Sequence, residues 1–137
     1  MHTDQQEVTE NLRIEDNGVP IYVQIREQML AAIGSGRLSA GDQMPTMRQV
    51  AVALRVDLNT VRRAYEALER AGAITILRAR GSFVAEHPPP VDSEAKAARA
   101  EGLARQTIAT AASMGIDPHD VALRMIDLTA ATKDLKP

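Results

Sequence analysis

Residues 44–84 read MPTMRQVAVALRVDLNTVRRAYEALERAGAITILRARGSFV, and the pattern changes several times within them. Met44-Pro45 holds the chain extended, because a proline ring disfavours helix at the residue before it. Thr46 can cap a short helix over residues 47–55, with Val50, Ala51 and Leu54 inward. Asp57 then caps a second helix, LNTVRRAYEALERA, which ends at Gly72 in the usual carboxyl-terminal glycine position. In it Val61, Ala64, Tyr65 and Leu68 follow the i, i+3, i+4, i+7 rule, so the opposite face shows Asn59, Arg62, Arg63 and Glu66, with Thr60 at its flank. After Gly72, residues 74–77 and 82–85 have strand propensity and are separated by Arg78-Ala79-Arg80-Gly81. A β-hairpin with a basic tip is expected there.

Upstream, Pro20 followed by IYVQIREQMLAAI suits a helix that starts at a proline, with Tyr22, Ile25, Met29 and Ile33 on one stripe and a stop at Gly34-Ser35-Gly36. Ala40-Gly41-Asp42 reads as a turn. Helix, short helix, tight turn, longer helix and basic hairpin, in that order, make a winged helix-turn-helix. The expected fold is mainly α with a small β-hairpin wing. Such a unit needs side chains on its second helix that reach base edges and cations around them that hold phosphates. Asn59 can pair bidentately with adenine, and Arg62 and Arg63 with guanine. Arg48, Arg78 and Arg80 can meet phosphates, and Gly81 lets the backbone approach a groove closely. Double-stranded DNA is the partner these positions suit.

The remaining chain divides around this unit. Residues 1–19 form an acidic amino-terminal extension, read as a mobile end over residues 1–16. Residues 20–86 are the winged domain. Residues 87–91 form a linker, stiffened by Pro88, Pro89 and Pro90. Residues 92–137 form a two-helix tail. Its first helix has Ala100, Ala104, Ile108 and Ala111 in register and closes at Gly115; its second opens at Asp117-Pro118 with Val121, Ala122, Met125 and Leu128 inward. So small a pair is not expected to be stable alone; its stripes need another surface, and a homodimer is expected.

Composition excludes more than it selects. The chain has 137 residues, 45% of them hydrophobic and 25% charged, which suits a globular protein with an aliphatic core. The absence of cysteine removes disulfides, thiolate zinc sites and cysteine nucleophiles; His2, His87 and His119 lie too far apart in sequence for metal-ligand spacing. No metal, cofactor or catalytic residue is expected. The net charge of −2 is uneven: residues 21–86 carry nine arginines against six acids, while residues 1–20 carry five acids and one base. No apolar run approaches the roughly 20 residues of a membrane span, and MHTDQQEVTE lacks the basic and apolar regions of a secretory signal, so no membrane association and a cytoplasmic location are expected.

The stretch 44–84 also resembles the DNA-binding domain of GntR-type bacterial transcription regulators. The resemblance covers residues 20–86 and rests on three motifs in order: a Leu-Pro-Ser-x-Arg-x-Leu-Ala run, a Thr-Val-Arg-x-Ala-x-x-x-Leu helix and a Gly-x-Gly-Thr-Phe-Val wing. Met44, Thr46 and Val50 replace the usual Leu, Ser and Leu, Ala79 stands where a glycine is common, and Leu58 where many relatives carry a basic residue or a proline. The short tail and the Asn-Thr-Val start of the recognition helix are similar to the YtrA-like subgroup. The resemblance implies DNA contacts at Arg48, Asn59, Thr60, Arg62 and the wing around Gly81, and dimerisation through the tail. Together the two readings make Thr46, Arg48, Asn59, Thr60, Arg62, Arg63, Arg78, Arg80 and Gly81 the candidate DNA-binding residues.

The function expected is a homodimeric transcription regulator, a repressor by analogy, on an inverted-repeat operator. The alternative is a winged-helix protein-interaction or assembly module, which an apolar patch at Asn59, Arg62 and Arg63 would have favoured. An enzyme is the weakest option, since no nucleophile-base arrangement occurs. A dimer cavity lined by Met114, Met125 and Leu128 could admit a small-molecule effector of apolar character. Tyr22 and Tyr65 read as core residues, Met29, Met44, Met47, Met114 and Met125 as gap fillers, and His87 and His119 as solvent-facing.

Overall fold

The computed structural model describes residues 3–90 and 92–134. Met1, His2, Val91 and residues 135–137 lie outside the described residues, as do the parts of the expected extension, linker and tail that fall on them. The chain divides into two compact units, residues 1–91 and 92–137.

In the first unit, α1 (Thr3–Asn11) and α2 (Ile21–Gly34) precede the two helices of the motif, α3 (Met47–Leu54) and α4 (Leu58–Arg70), and the hairpin β1 (Ile74–Leu77) and β2 (Gly81–Val84). Local chemistry sets the ends. Pro20 stands before α2, Thr46 and Gln49 form a reciprocal capping box on α3, and Asp57 caps α4 by accepting from the Asn59 amide at 2.7 Å. Gly72, at φ +80°, follows α4 in the left-handed region that only glycine adopts without strain.

The core gathers one face of each element: Ile25 and Met29 from α2, Val50 from α3, Val61, Tyr65 and Leu68 from α4, and Ile74 and Val84 from the hairpin. Each such aliphatic side chain contributes about 1.5–3 kcal/mol by leaving water. Tyr65 is fully buried, and its hydroxyl donates to the Pro45 carbonyl, tying α4 to the chain entering α3. Desolvation pushes its phenol pKa up.

The structure differs from the sequence reading in two places here. The hairpin has a third neighbour: the Met44 amide donates to Ser82 O at 2.7 Å and the Val84 amide to Asp42 O at 2.8 Å, so residues 42–44 run beside β2 as a short edge. The acidic amino terminus is also docked. Val8 and Leu12 are buried in the core, α1 packs on α3, and Gln5 Nε2 donates to Gln43 O at 2.6 Å. Gln24 and Gln28 of α2 then hold residues 13–15 through backbone hydrogen bonds. Two apolar residues one turn apart and a set of glutamine amides fix a segment whose composition suggested mobility.

The second unit consists of α5 (Ser93–Ser113) and α6 (Pro118–Asp134). Asp92 caps α5 by accepting from the Ala95 amide at 3.0 Å, and Gly115, at φ +73°, closes it. Packing within the pair is slight. Ala111 is the one buried residue of this unit among those described, and Val121 is half-buried. Ala100, Ala104, Ile108, Ala122, Met125 and Leu128 are exposed, as is Met114, so Met114 and Met125 fill no gap between α5 and α6, against the gap-filling role expected of them. Two helices joined by a tight turn cover each other only near that turn.

Candidate nucleic-acid interface

The site is built on the turn between α3 and α4. Arg55 ends α3 in the left-handed conformation, φ 56° and ψ 47°, and the Val56 amide returns to Ala51 O at 3.1 Å. This reverses the chain within three residues and leaves the first turn of α4 projecting. Val61, Ala64, Tyr65, Ala67 and Leu68 face the core, so at 100° per residue Asn59, Arg62, Arg63 and Glu66 are left exposed. Thr60 is half-buried at the edge of that face.

The polar face has internal order. Arg62 Nη1 donates to Asn59 Oδ1, one turn earlier. The guanidinium of Arg63 lies instead on the Tyr22 ring of α2, 3.9 Å from its centroid. Tyr22 is therefore more than a core residue: it packs against the core and its ring also carries a cation. Sequence reasoning missed both pairs. The i, i+3 spacing of Asn59 and Arg62 was a usable signal for the first; the second joins residues 41 positions apart, and no local pattern announces it.

On α3, Arg48 is exposed in the first turn. Thr46, also exposed, commits its Oγ1 to the Gln49 amide at 3.0 Å while Gln49 Oε1 accepts from the Thr46 amide at 2.9 Å, so its first task is structural. In the wing, Arg78 and Arg80 are exposed on a tight turn closed by the Arg80 amide on Leu77 O at 3.0 Å. Ala79 occupies φ +67° there. Gly81 opens β2 opposite Leu77 at φ +108°, and a Cβ would stand 3.1 Å from Gln43 Nε2. Its lack of a side chain thus serves the hairpin itself.

The candidate residues accordingly fall on α3, α4 and the wing of one compact unit, with cations at Arg48, Arg62, Arg63, Arg78 and Arg80 and hydrogen-bonding amide chemistry at Asn59. That combination suits a polyanion with readable edges. Among the described residues no three His, Asp or Glu side chains gather as a metal site, and no helix is long and apolar enough to cross a membrane. A recess of about 230 Å³ beside α1 is lined by Gln5, Gln6, Thr9 and Gln49, whose side chains already serve hydrogen bonds within the fold. His87 and His119 are exposed.

Comparison with known proteins agrees with this geometry. Residues 21–84 match the family described as bacterial regulatory proteins, gntR family. The chain is 34% identical over 101 residues to the HTH-type transcriptional repressor YtrA of Bacillus subtilis, covering 74% of this chain and 78% of that protein. It is 31% identical to the HTH-type transcriptional regulator Rv1152 of Mycobacterium tuberculosis, over 75% of this chain and 80% of the other. Among solved structures, YtrA of Sulfolobus acidocaldarius, a GntR-family transcription factor, superposes with a TM-score of 0.52 at 30% identity, covering 68% of this chain and 97% of that one. On the match over α2 to β2 and the extent of these relatives, the chain belongs to the gntR family of bacterial regulatory proteins.

Proposed function

We propose that the chain is a sequence-specific DNA-binding transcription regulator, a repressor, which binds an inverted-repeat operator as a homodimer in the cytoplasm. The observation that carries this reading is the exposed Asn59 and Arg62 pair on the first turns of α4, with Arg48 on α3 and Arg78 and Arg80 on the wing. Asn59 and Arg62 supply base recognition. Thr60 stands at their edge, and the three flanking arginines position the phosphates. The repressor assignment is supported by the similarity to YtrA of Bacillus subtilis.

Dimerisation is supported by the tail. Leu103, Ile108, Met114, Leu123, Met125, Ile126 and Leu128 are each at least half exposed, with Leu103 at 65% and Met114 at 66%. So many exposed apolar side chains on a small helical pair call for a covering partner, and a second copy of the same pair offers a self-complementary one. An effector would act by favouring one arrangement of the paired copies over another.

Selection of bound duplexes from a random DNA pool by the purified full chain tests the function. An enriched dyad-symmetric sequence is the expected result; a pool that stays random after repeated rounds contradicts it.

A further inference from the structure

We propose that Tyr22 is a positioning residue of the DNA interface: its ring holds the Arg63 guanidinium beside the recognition helix so that Arg63 meets a backbone phosphate and not a base. This rests on the DNA-binding reading above. Arg63 follows Arg62 by one residue but leaves α4 on the α2 side, where its guanidinium lies 3.9 Å from the ring centroid of Tyr22. Stacking uses the face of the guanidinium and leaves its N–H donors at the edge, where a phosphate oxygen accepts them in bidentate fashion. No carboxylate pairs with Arg63 among the described residues. The second cation near the ring, Arg26, is farther away at 5.9 Å and is tied to Glu27 at 3.3 Å.

The ring is a firm support because Tyr22 is half-buried and packs against the core that α2 and α4 share. A long cationic side chain on a bare helix surface must lose its rotamer freedom on binding; one already laid on a ring has lost much of it in the free protein. Arg62, bonded to Asn59, remains with the base-reading pair. The two adjacent arginines thus take different work: Arg62 specifies and Arg63 anchors.

The test is the salt dependence of binding by the full chain, on its selected duplex and on a scrambled duplex of equal length. Arg63→Ala is expected to reduce the slope of log K against log salt by about 0.9 on both duplexes, the value for one phosphate. Tyr22→Leu should weaken both complexes by the same factor, about two- to tenfold, and shift the slope in the same direction. Tyr22→Phe keeps the ring and should keep wild-type slope and affinity. Adding Tyr22→Leu to Arg63→Ala should cost nothing further. Tyr22→Met fills the same seam if the Leu variant fails to fold, and melting curves show that each variant is folded at the assay temperature. A wild-type slope in Arg63→Ala, a loss confined to the selected duplex, or additive losses in the double variant would overturn the proposal. A wild-type chain that binds neither duplex would instead remove the DNA-binding reading itself.

Discussion

Arg62 donates through Nη1 to Asn59 Oδ1 across one turn of α4, so the two side chains expected to read bases are coupled before any base is present. Asn59→Ala and Arg62→Ala should each cost roughly 1–3 kcal/mol on the preferred duplex and much less on random DNA. Because each substitution also frees the other partner, the double variant should lose less than the sum. Fluorescence anisotropy titrations of the four proteins on both duplexes measure this; equal losses on both would mean that neither side chain reads sequence.

Among the described residues, two non-glycine residues sit at positive φ, Arg55 at 56° and Ala79 at 67°. An L-residue there costs about 1–2 kcal/mol, part of which glycine recovers against its larger entropy loss. Arg55→Gly and Ala79→Gly should each raise stability by about 0.5–1 kcal/mol, read as a higher urea midpoint with unchanged m. A lower midpoint would mean that the Arg55 or Ala79 side chain contributes more than its backbone costs.

Tyr65 is buried as the neutral phenol, with its pKa raised by desolvation and its hydroxyl on the Pro45 carbonyl. The folded chain holds this proton more tightly than the unfolded one, whose phenol titrates near the ordinary value of about 10. The contribution is therefore complete below about pH 10 and is lost as pH rises beyond it. Tyr65→Phe should cost about 1–3 kcal/mol at neutral pH, since a buried acceptor loses its donor. It should also flatten the alkaline fall in unfolding free energy. An identical alkaline profile in both proteins would place that fall on other groups.

The core formed by residues 8–84 lies wholly within the first unit, and the exposed apolar residues of α5 and α6 lie in the second. A chain ending at Glu86 should therefore fold but remain monomeric, and lose most of its affinity for a two-half-site duplex while keeping weak binding. Light scattering at micromolar concentration, beside the full chain, checks this; a dimeric truncation would assign the dimer interface to the first unit.

What could be read in the sequence was whatever local chemistry decides. The Thr46 and Asp57 caps, the glycine after α4 and the stripe of Val61, Ala64, Tyr65 and Leu68 each need only a few adjacent residues, and each is found where it was expected. Contacts between distant segments were not legible. Among the described residues, helix α1 and the residue after it bury only Val8 and Leu12, too few for a periodic stripe, and the helix gains its place by docking on α3. Residues 42–44 form too short an edge to carry strand alternation, with Pro45 immediately after. Within the candidate site the exposed positions on α4 followed from helix geometry, but the placement of Arg63 on Tyr22 depends on how α2 crosses α4, which no spacing along the chain encodes.

Base reading by Asn59 and Arg62, as proposed, requires α4 to enter a major groove. Methylation interference on the selected duplex tests it directly, because dimethyl sulfate modifies guanine N7 in the major groove and adenine N3 in the minor groove. Bound full-length protein should exclude duplexes methylated at guanine N7 in both half-sites, with the two clusters related by the dyad, and Arg62→Ala should abolish that exclusion. Binding that tolerates N7 methylation throughout, or is blocked only by methylation at adenine N3, would contradict the insertion of α4 into the major groove.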